Sequence, residues 1–201
     1  MMFLMVAVAA CLADPAGAVR SDSLVRLYEG GRTWAEFFES AKARKPMWTD
    51  NYQAGVPDSA VVDRAKAVGG QWRILAVAED WCGDSANTVP YLVRLAEQVP
   101  GLTIRIANSK EGRWLMERHP TADGRAATPT IVLLGPGGEE RGCFVERPAK
   151  LREWVSENKP KLSDEDFQKA KMAWYRDDRG RATVNEVVSL LEAAGKGPTT
   201  C

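Results

Sequence analysis

Apolar residues recur at helical spacing over 33–45, where Trp34, Phe37, Phe38 and Ala41 share a face. Thr33 stands as N-cap there, with Glu36 three residues on. A polar, aromatic-dotted stretch over 46–57 reads as a connector. Val61, Val62, Ala65 and Val68 then predict a short helix over 58–68, ended by Gly69-Gly70. The apolar run 73–78, bounded by turn signals, predicts a strand buried on both faces. It leads directly into Trp81-Cys82-Gly83-Asp84-Ser85. Val89, Leu92, Val93 and Ala96 predict a helix over 85–98.

A second strand is expected over 102–107 and a short helix over 111–118. The stretch 130–134 makes a third strand, Gly135-Pro136-Gly137-Gly138 a turn, and 141–145 its hairpin partner. Pro148 opens a helix over 149–158 that carries Leu151, Trp154 and Val155 inward. Past Lys159-Pro160, a capped helix starts near Ser163 and reaches Tyr175. The cluster Asp177-Asp178-Arg179-Arg181, read as a solvated turn, separates it from a last apolar helix over 183–193. This tail either caps the domain or pairs with a partner. Strands alternating with helices and closed by a hairpin imply an α/β sheet covered on both faces.

A chain of 201 residues suits one domain with ornaments. Lys+Arg and Asp+Glu balance at 27 each, so the net charge is zero. That excludes a long nucleic-acid groove, which needs a basic excess to neutralise phosphates. No stretch reaches the roughly 20 apolar residues of a membrane span. The uncharged, apolar 1–13 resembles a signal-peptide core, with Ala16-Gly17-Ala18 as a cleavage site. Val8-Ala9-Ala10-Cys11 is also similar to a lipobox, making Cys11 a candidate lipid anchor. Against both, no Lys or Arg precedes the run, and the run is short. Export to the periplasm is the expectation, a cytoplasmic protein with an apolar N-terminus the alternative. The chain divides into a candidate signal segment (1–18), a domain (24–160) and a C-terminal helical extension (161–197).

The four cysteines, at 11, 82, 143 and 201, are too scattered for a disulfide-framed mini-domain or a zinc knuckle. Cys82 is distinctive because it lies between a buried strand and a helix start. Unpaired backbone N–H groups and the helix dipole there favour a thiolate, the nucleophilic form. Asp84 and Ser85 either cap the helix or act on the thiol, and the Asp84 carboxylate opposes thiolate formation. Trp81 either shields the thiol as an apolar platform or packs in the core. Cys143 reads as an inert buried cysteine, unless the return strand brings it to the same end of the sheet. Cys201 has no assigned role. His119, the one histidine, reads as a helix C-terminal dipole partner, and no metal site is expected.

These residues resemble the thioredoxin superfamily. The aromatic-Cys-Gly-x-x motif at a strand-to-helix junction, Pro90 eight residues on, Thr128-Pro129-Thr130 before a strand, and the Gly-rich turn fall in the family's order. Trp-Cys-Gly-Asp-Ser together with Trp174-Tyr175-Arg176-Asp177-Asp178-Arg179-Gly180 is similar to a bacterial subgroup of the family. The resemblance spans 73–158 and implies a thioredoxin-like fold with a central mixed β-sheet and N- and C-terminal helical extensions. It implies a cis Pro129 whose neighbouring backbone, at Thr128, pairs with substrate, and a groove formed with Trp81 and Gly83. It also marks departures. Ser85 stands where dithiol members carry the resolving cysteine, and Ala76 where they bury an aspartate. Thiol–disulfide exchange by Cys82 alone is therefore expected. Its substrates would be disulfide-bearing or glutathionylated proteins or peptides, with no bound cofactor and an external thiol such as glutathione as resolvent. Monothiol glutaredoxins, similar in Cys-Gly-x-Ser, hold an iron–sulfur cluster, but no glutathione-binding signature is evident here. A monomer is expected, and the alternative function is a redox-inactive binding module for a peptide or protein.

Overall fold

The computed structural model describes residues 15–197 and residue 201, with side chains from Ser21 onward. The signal core and lipid anchor expected at 1–14, including Cys11, lie outside the described residues, and the cleavage site expected at 16–18 falls within the helix Pro15–Glu29. Four strands, β1 (Trp72–Val77), β2 (Leu102–Ala107), β3 (Thr130–Leu134) and β4 (Glu140–Val145), form one mixed sheet in the order β2-β1-β3-β4. β1 runs parallel to β2 and antiparallel to β3, and β3 and β4 are an antiparallel hairpin.

Side-chain alternation along the strands separates two cores. Ile74 and Ala76 of β1, Ile131 and Leu133 of β3, and Phe144 of β4 face one layer. Leu75, Val77, Val132, Leu134 and Cys143 face the other. This two-sided burial explains why β1 and β3 read as continuous apolar runs. The first layer holds α2 (Trp34–Ser40), α3 (Lys45–Ala54), α4 (Ser59–Val68), α6 (Val89–Ala96) and α10 (Arg181–Lys196). The second holds α1 (Pro15–Glu29), through Leu24 and Tyr28, and α7 (Arg113–Arg118), through Leu115 and Met116. The tail therefore caps the sheet: Val184, Val187, Val188 and Leu191 of α10 are core. Among the described residues, no helix is long and apolar enough to cross a membrane.

Three expectations need correction. The supposed connector over 46–57 is mostly helix α3, with Pro46 in its first turn and Trp48 completely buried. Its aromatics pack against those of α2, Tyr52 against Trp34 and Trp48 against Phe37, with Met47 beside them, so the helix survives despite a polar sequence. The Thr33 capping box is present, but α2 ends at Ser40. The helix expected over 85–98 is two pieces, α5 (Gly83–Ala86) and α6. Pro90 has no N–H to continue the ladder, which frees the carbonyl of Ala86. The Asn51 side-chain amide donates to that carbonyl at 2.8 Å, so the break costs no unsatisfied acceptor.

Candidate active site

β1 pairs Val77 with Thr130 of the antiparallel β3. The chain leaving β1 therefore meets the chain entering β3, and this brings Cys82 to Thr128. The Cys82 thiol donates to the Thr128 carbonyl at 3.2 Å, and the Thr128–Pro129 peptide is cis. Cys82 also serves as N-cap of α5, its sulfur accepting the Ser85 N–H at 3.4 Å. The thiol is free and half-buried.

The segment carrying it is fixed from both sides. Asp80 accepts the backbone N–H groups of Lys42 (2.6 Å) and Ala43 (3.0 Å), and the Trp48 indole donates to the Asp80 carbonyl at 2.9 Å. Burial pushes the Asp80 carboxyl up, but these N–H groups outweigh it and hold the carboxyl below its ordinary range. Arg44, in the left-handed region at φ 52°, donates from Nε to the Trp81 carbonyl at 2.6 Å. On the other flank, Glu79 accepts from both the backbone and hydroxyl of Ser109. The helical pair α2–α3 thus supports the motif, although none of its residues carries the expected chemistry.

The structure distributes the expected site residues unevenly. Trp81 is 59% exposed and stands out from the surface, which excludes the core-packing alternative. Gly83 faces Met172 and Arg44: a Cβ placed on it would lie 3.8 Å from the Met172 methyl and 3.9 Å from the guanidinium carbon. Ser85 contributes its backbone N–H to the sulfur, but its own hydroxyl is fully buried and makes no hydrogen bond. The hydroxyl therefore neither caps the helix nor touches the thiol, and Ser85 acts on the sulfur through its backbone alone.

Asp84 caps nothing either. Its carboxylate is buried and accepts from the Tyr175 hydroxyl (2.9 Å), Lys171 Nζ (3.2 Å) and Arg147 Nη2 (3.1 Å). Two cations therefore face the carboxylate two residues from the thiol. Arg147 also pairs with Glu146 at 2.8 Å, and the Glu146 N–H holds the Pro129 carbonyl at 2.8 Å. Burial pushes the Tyr175 hydroxyl well above its ordinary range, and the neighbouring Asp84 charge adds to it, so it remains a donor. Burial opposes the charge of Arg147, but Asp84 and Glu146 outweigh it and keep the guanidinium protonated.

Lys171, Tyr175 and Arg147 escaped sequence reasoning. Phe167, Lys171 and Tyr175 are the buried stripe of α9 (Asp164–Asp178), four residues apart. A lysine inside an otherwise buried helical stripe was the available signal, because a buried ammonium needs a carboxylate partner.

Cys143 does not serve Cys82. It pairs with Val132 in mid-ladder, several residues from the Thr128 end, and its side chain faces the opposite core. Nor is it an inert thiol. Cys143 is joined to Cys201 in a disulfide, which corrects the readings of both residues. Among the described residues, the donor group with metal-holding geometry is His119, Cys143 and Cys201, on that opposite face and away from Cys82.

A mixed four-stranded sheet with helices on both faces, a cis-proline opening β3 and a cysteine at the β1–α5 junction define a thioredoxin-like protein. The thioredoxin family model matches residues 31–166, well over half of the chain, and the chain belongs to that family. No curated protein matches it. Among solved structures it is similar to a protein of unknown function from Pseudomonas aeruginosa, at 20% identity and a TM-score of 0.70. That match covers 85% of this chain and 97% of the other. It is also similar to an HIV epitope scaffold, at 20% identity and a TM-score of 0.67, over 84% and 96% of the two chains. At such identity the likeness bears on the fold alone.

Proposed function

We propose that the protein is a monothiol thiol–disulfide exchange catalyst of the single-cysteine type, with Cys82 as nucleophile. The observation that carries this reading is the position of the Cys82 sulfur, between the Ser85 N–H and the Thr128 carbonyl next to cis-Pro129. In the thiolate form the sulfur keeps the Ser85 N–H as a donor. Two cations balance the nearby Asp84 charge, so the carboxylate does not act on the sulfur as an isolated negative charge.

The thiolate attacks the glutathione sulfur of a glutathionylated protein. A new S–S bond forms on Cys82, and the substrate cysteine leaves as thiolate and takes a proton from solvent. A second glutathione then attacks the Cys82 mixed disulfide, releasing glutathione disulfide and restoring the thiolate. Ser85 cannot replace that external thiol, since a hydroxyl does not attack a disulfide at neutral pH. Trp81 supplies an apolar platform for the substrate chain, and the Thr128 backbone pairs with it.

The test is iodoacetamide alkylation across pH together with turnover of a glutathionylated peptide in the presence of glutathione. Alkylation at neutral pH faster than for free cysteine, with turnover abolished in Cys82→Ser, supports the reading. Alkylation no faster than free cysteine and no turnover refute it. The second reading, a binding module using the same groove, is favoured by Ser85 in the resolving position. Retained peptide binding by Cys82→Ser without turnover by the wild type would establish it.

A further inference from the structure

On the sheet face away from Cys82, four donor atoms converge that thiol exchange does not use. His119 ends α7 as its C-cap, Glu140 opens β4, and Cys143 lies three residues further along that strand. Cys201 completes the group. His119 is only 8% exposed, and its Nε2 is turned toward the Glu140 carboxylate. That nitrogen lies 3.2 Å from Glu140 Oε1, which in turn lies 3.3 Å from the Cys201 sulfur. Ligand atoms of His119, Cys143 and Cys201 all fall within 4.8 Å of one another. A buried imidazole nitrogen gathered with a carboxylate oxygen and two sulfurs has the donor set of a metal ligand.

We propose that His119, Glu140, Cys143 and Cys201 form a zinc-class metal site that becomes available when the Cys143–Cys201 disulfide is reduced. One nitrogen, one oxygen and two sulfurs suit a borderline-soft, tetrahedral cation, whereas magnesium and calcium take oxygen sets. Bonds of about 2.0–2.3 Å in a tetrahedron place neighbouring donors about 3.3–3.8 Å apart. The oxygen-to-nitrogen and oxygen-to-sulfur separations are already close to this range. Arg118 Nη2 holds the other Glu140 oxygen at 2.9 Å, which orients Oε1 toward the cluster as an outer partner orients a metal ligand.

Disulfide and metal exclude each other. An external dithiol passes two electrons to the Cys143–Cys201 bond and becomes a disulfide, while its two protons go to the freed sulfurs. The divalent cation then binds both sulfurs as thiolates and displaces those two protons to solvent. Either way residue 201 stays fixed to β4, so the site exchanges one latch for another according to redox state and metal supply.

Cobalt(II), a spectroscopic stand-in for zinc, is the probe for the test. The full chain is compared before and after reduction by a phosphine, removed before cobalt is added without oxygen. The reduced chain is expected to bind one equivalent, with tetrahedral visible bands and a thiolate-to-cobalt band in the near ultraviolet, both abolished by zinc. The oxidised chain is expected to bind none. Cys82→Ser should bind unchanged, and His119→Gln, which removes a direct ligand, should bind at least about 10-fold more weakly, since even an outer-shell loss costs that much. Cys201→Ser, at an exposed position, should lose the charge-transfer intensity without disturbing the core, which covers the case of a misfolded His119 variant. Three results would overturn the proposal: no uptake by the reduced wild type, bands that persist in a Cys143→Ser/Cys201→Ser double variant, or bands that vanish in Cys82→Ser.

Discussion

The Asp84 cluster makes the sharpest energetic prediction. Asp84 is 7% exposed and Lys171 5%, and their charges meet at 3.2 Å. Asp84→Asn keeps the shape of the side chain but removes the charge facing Lys171. Arg147 retains Glu146 at 2.8 Å, so the loss falls mainly on the ammonium. Breaking a buried pair in this way costs about 3–5 kcal/mol, because the remaining charge is desolvated without compensation. At roughly 2–4 °C per kcal/mol for a chain of this size, the melting temperature should fall by roughly 6–20 °C. Lys171→Met should cost less, since Asp84 keeps Arg147 and the Tyr175 hydroxyl. The double variant buries no stranded charge and should be more stable than Asp84→Asn. Urea unfolding followed by tryptophan fluorescence would give the four stabilities, with a coupling energy of about 2 kcal/mol or more. Additivity within about 0.5 kcal/mol would refute the claim that these charges stabilise one another.

Three further outcomes are expected. Ser85→Cys replaces a buried hydroxyl that makes no hydrogen bond and should create a dithiol. The variant should then reduce insulin-type disulfides without an added resolving thiol, and mass spectrometry should show a disulfide between Cys82 and the introduced thiol; a continued need for external thiol would contradict this. Trp81→Ala, at a 59% exposed position, should change stability by less than about 0.5 kcal/mol while raising KM for a peptide substrate; an unchanged KM would remove Trp81 from the groove. The Asp80 carboxyl is held below its ordinary range in the fold, so its contribution is present above about pH 4 and is lost as pH falls through the lower folded value. Asp80→Asn should therefore flatten the acid limb of the stability-versus-pH curve below pH ~4, and an unaltered limb would contradict that assignment.

Much of this molecule is local and was legible in the sequence. The strands β1 and β3 are buried on both faces, so continuous apolar runs identify them without reference to anything distant. The Thr33 capping box, the Gly-rich hairpin turn and the cysteine at a strand-to-helix junction depend on neighbours a few residues away. Sequence reasoning went astray where distant segments supply the deciding partner. Helix α3 is mostly polar, and its aromatics find their packing partners on α2. Asp84 reads equally as a helix cap or a modulator of the thiol until α9 brings Lys171 and Tyr175 across 87 and 91 positions of chain. Cys143 reads as inert until residue 201 returns to β4. A carboxylate or a sulfur carries no mark of its partner in its own sequence neighbourhood. Whether it caps, pairs, ligates or reacts is fixed by which charges and donors the fold places around it once water has been removed.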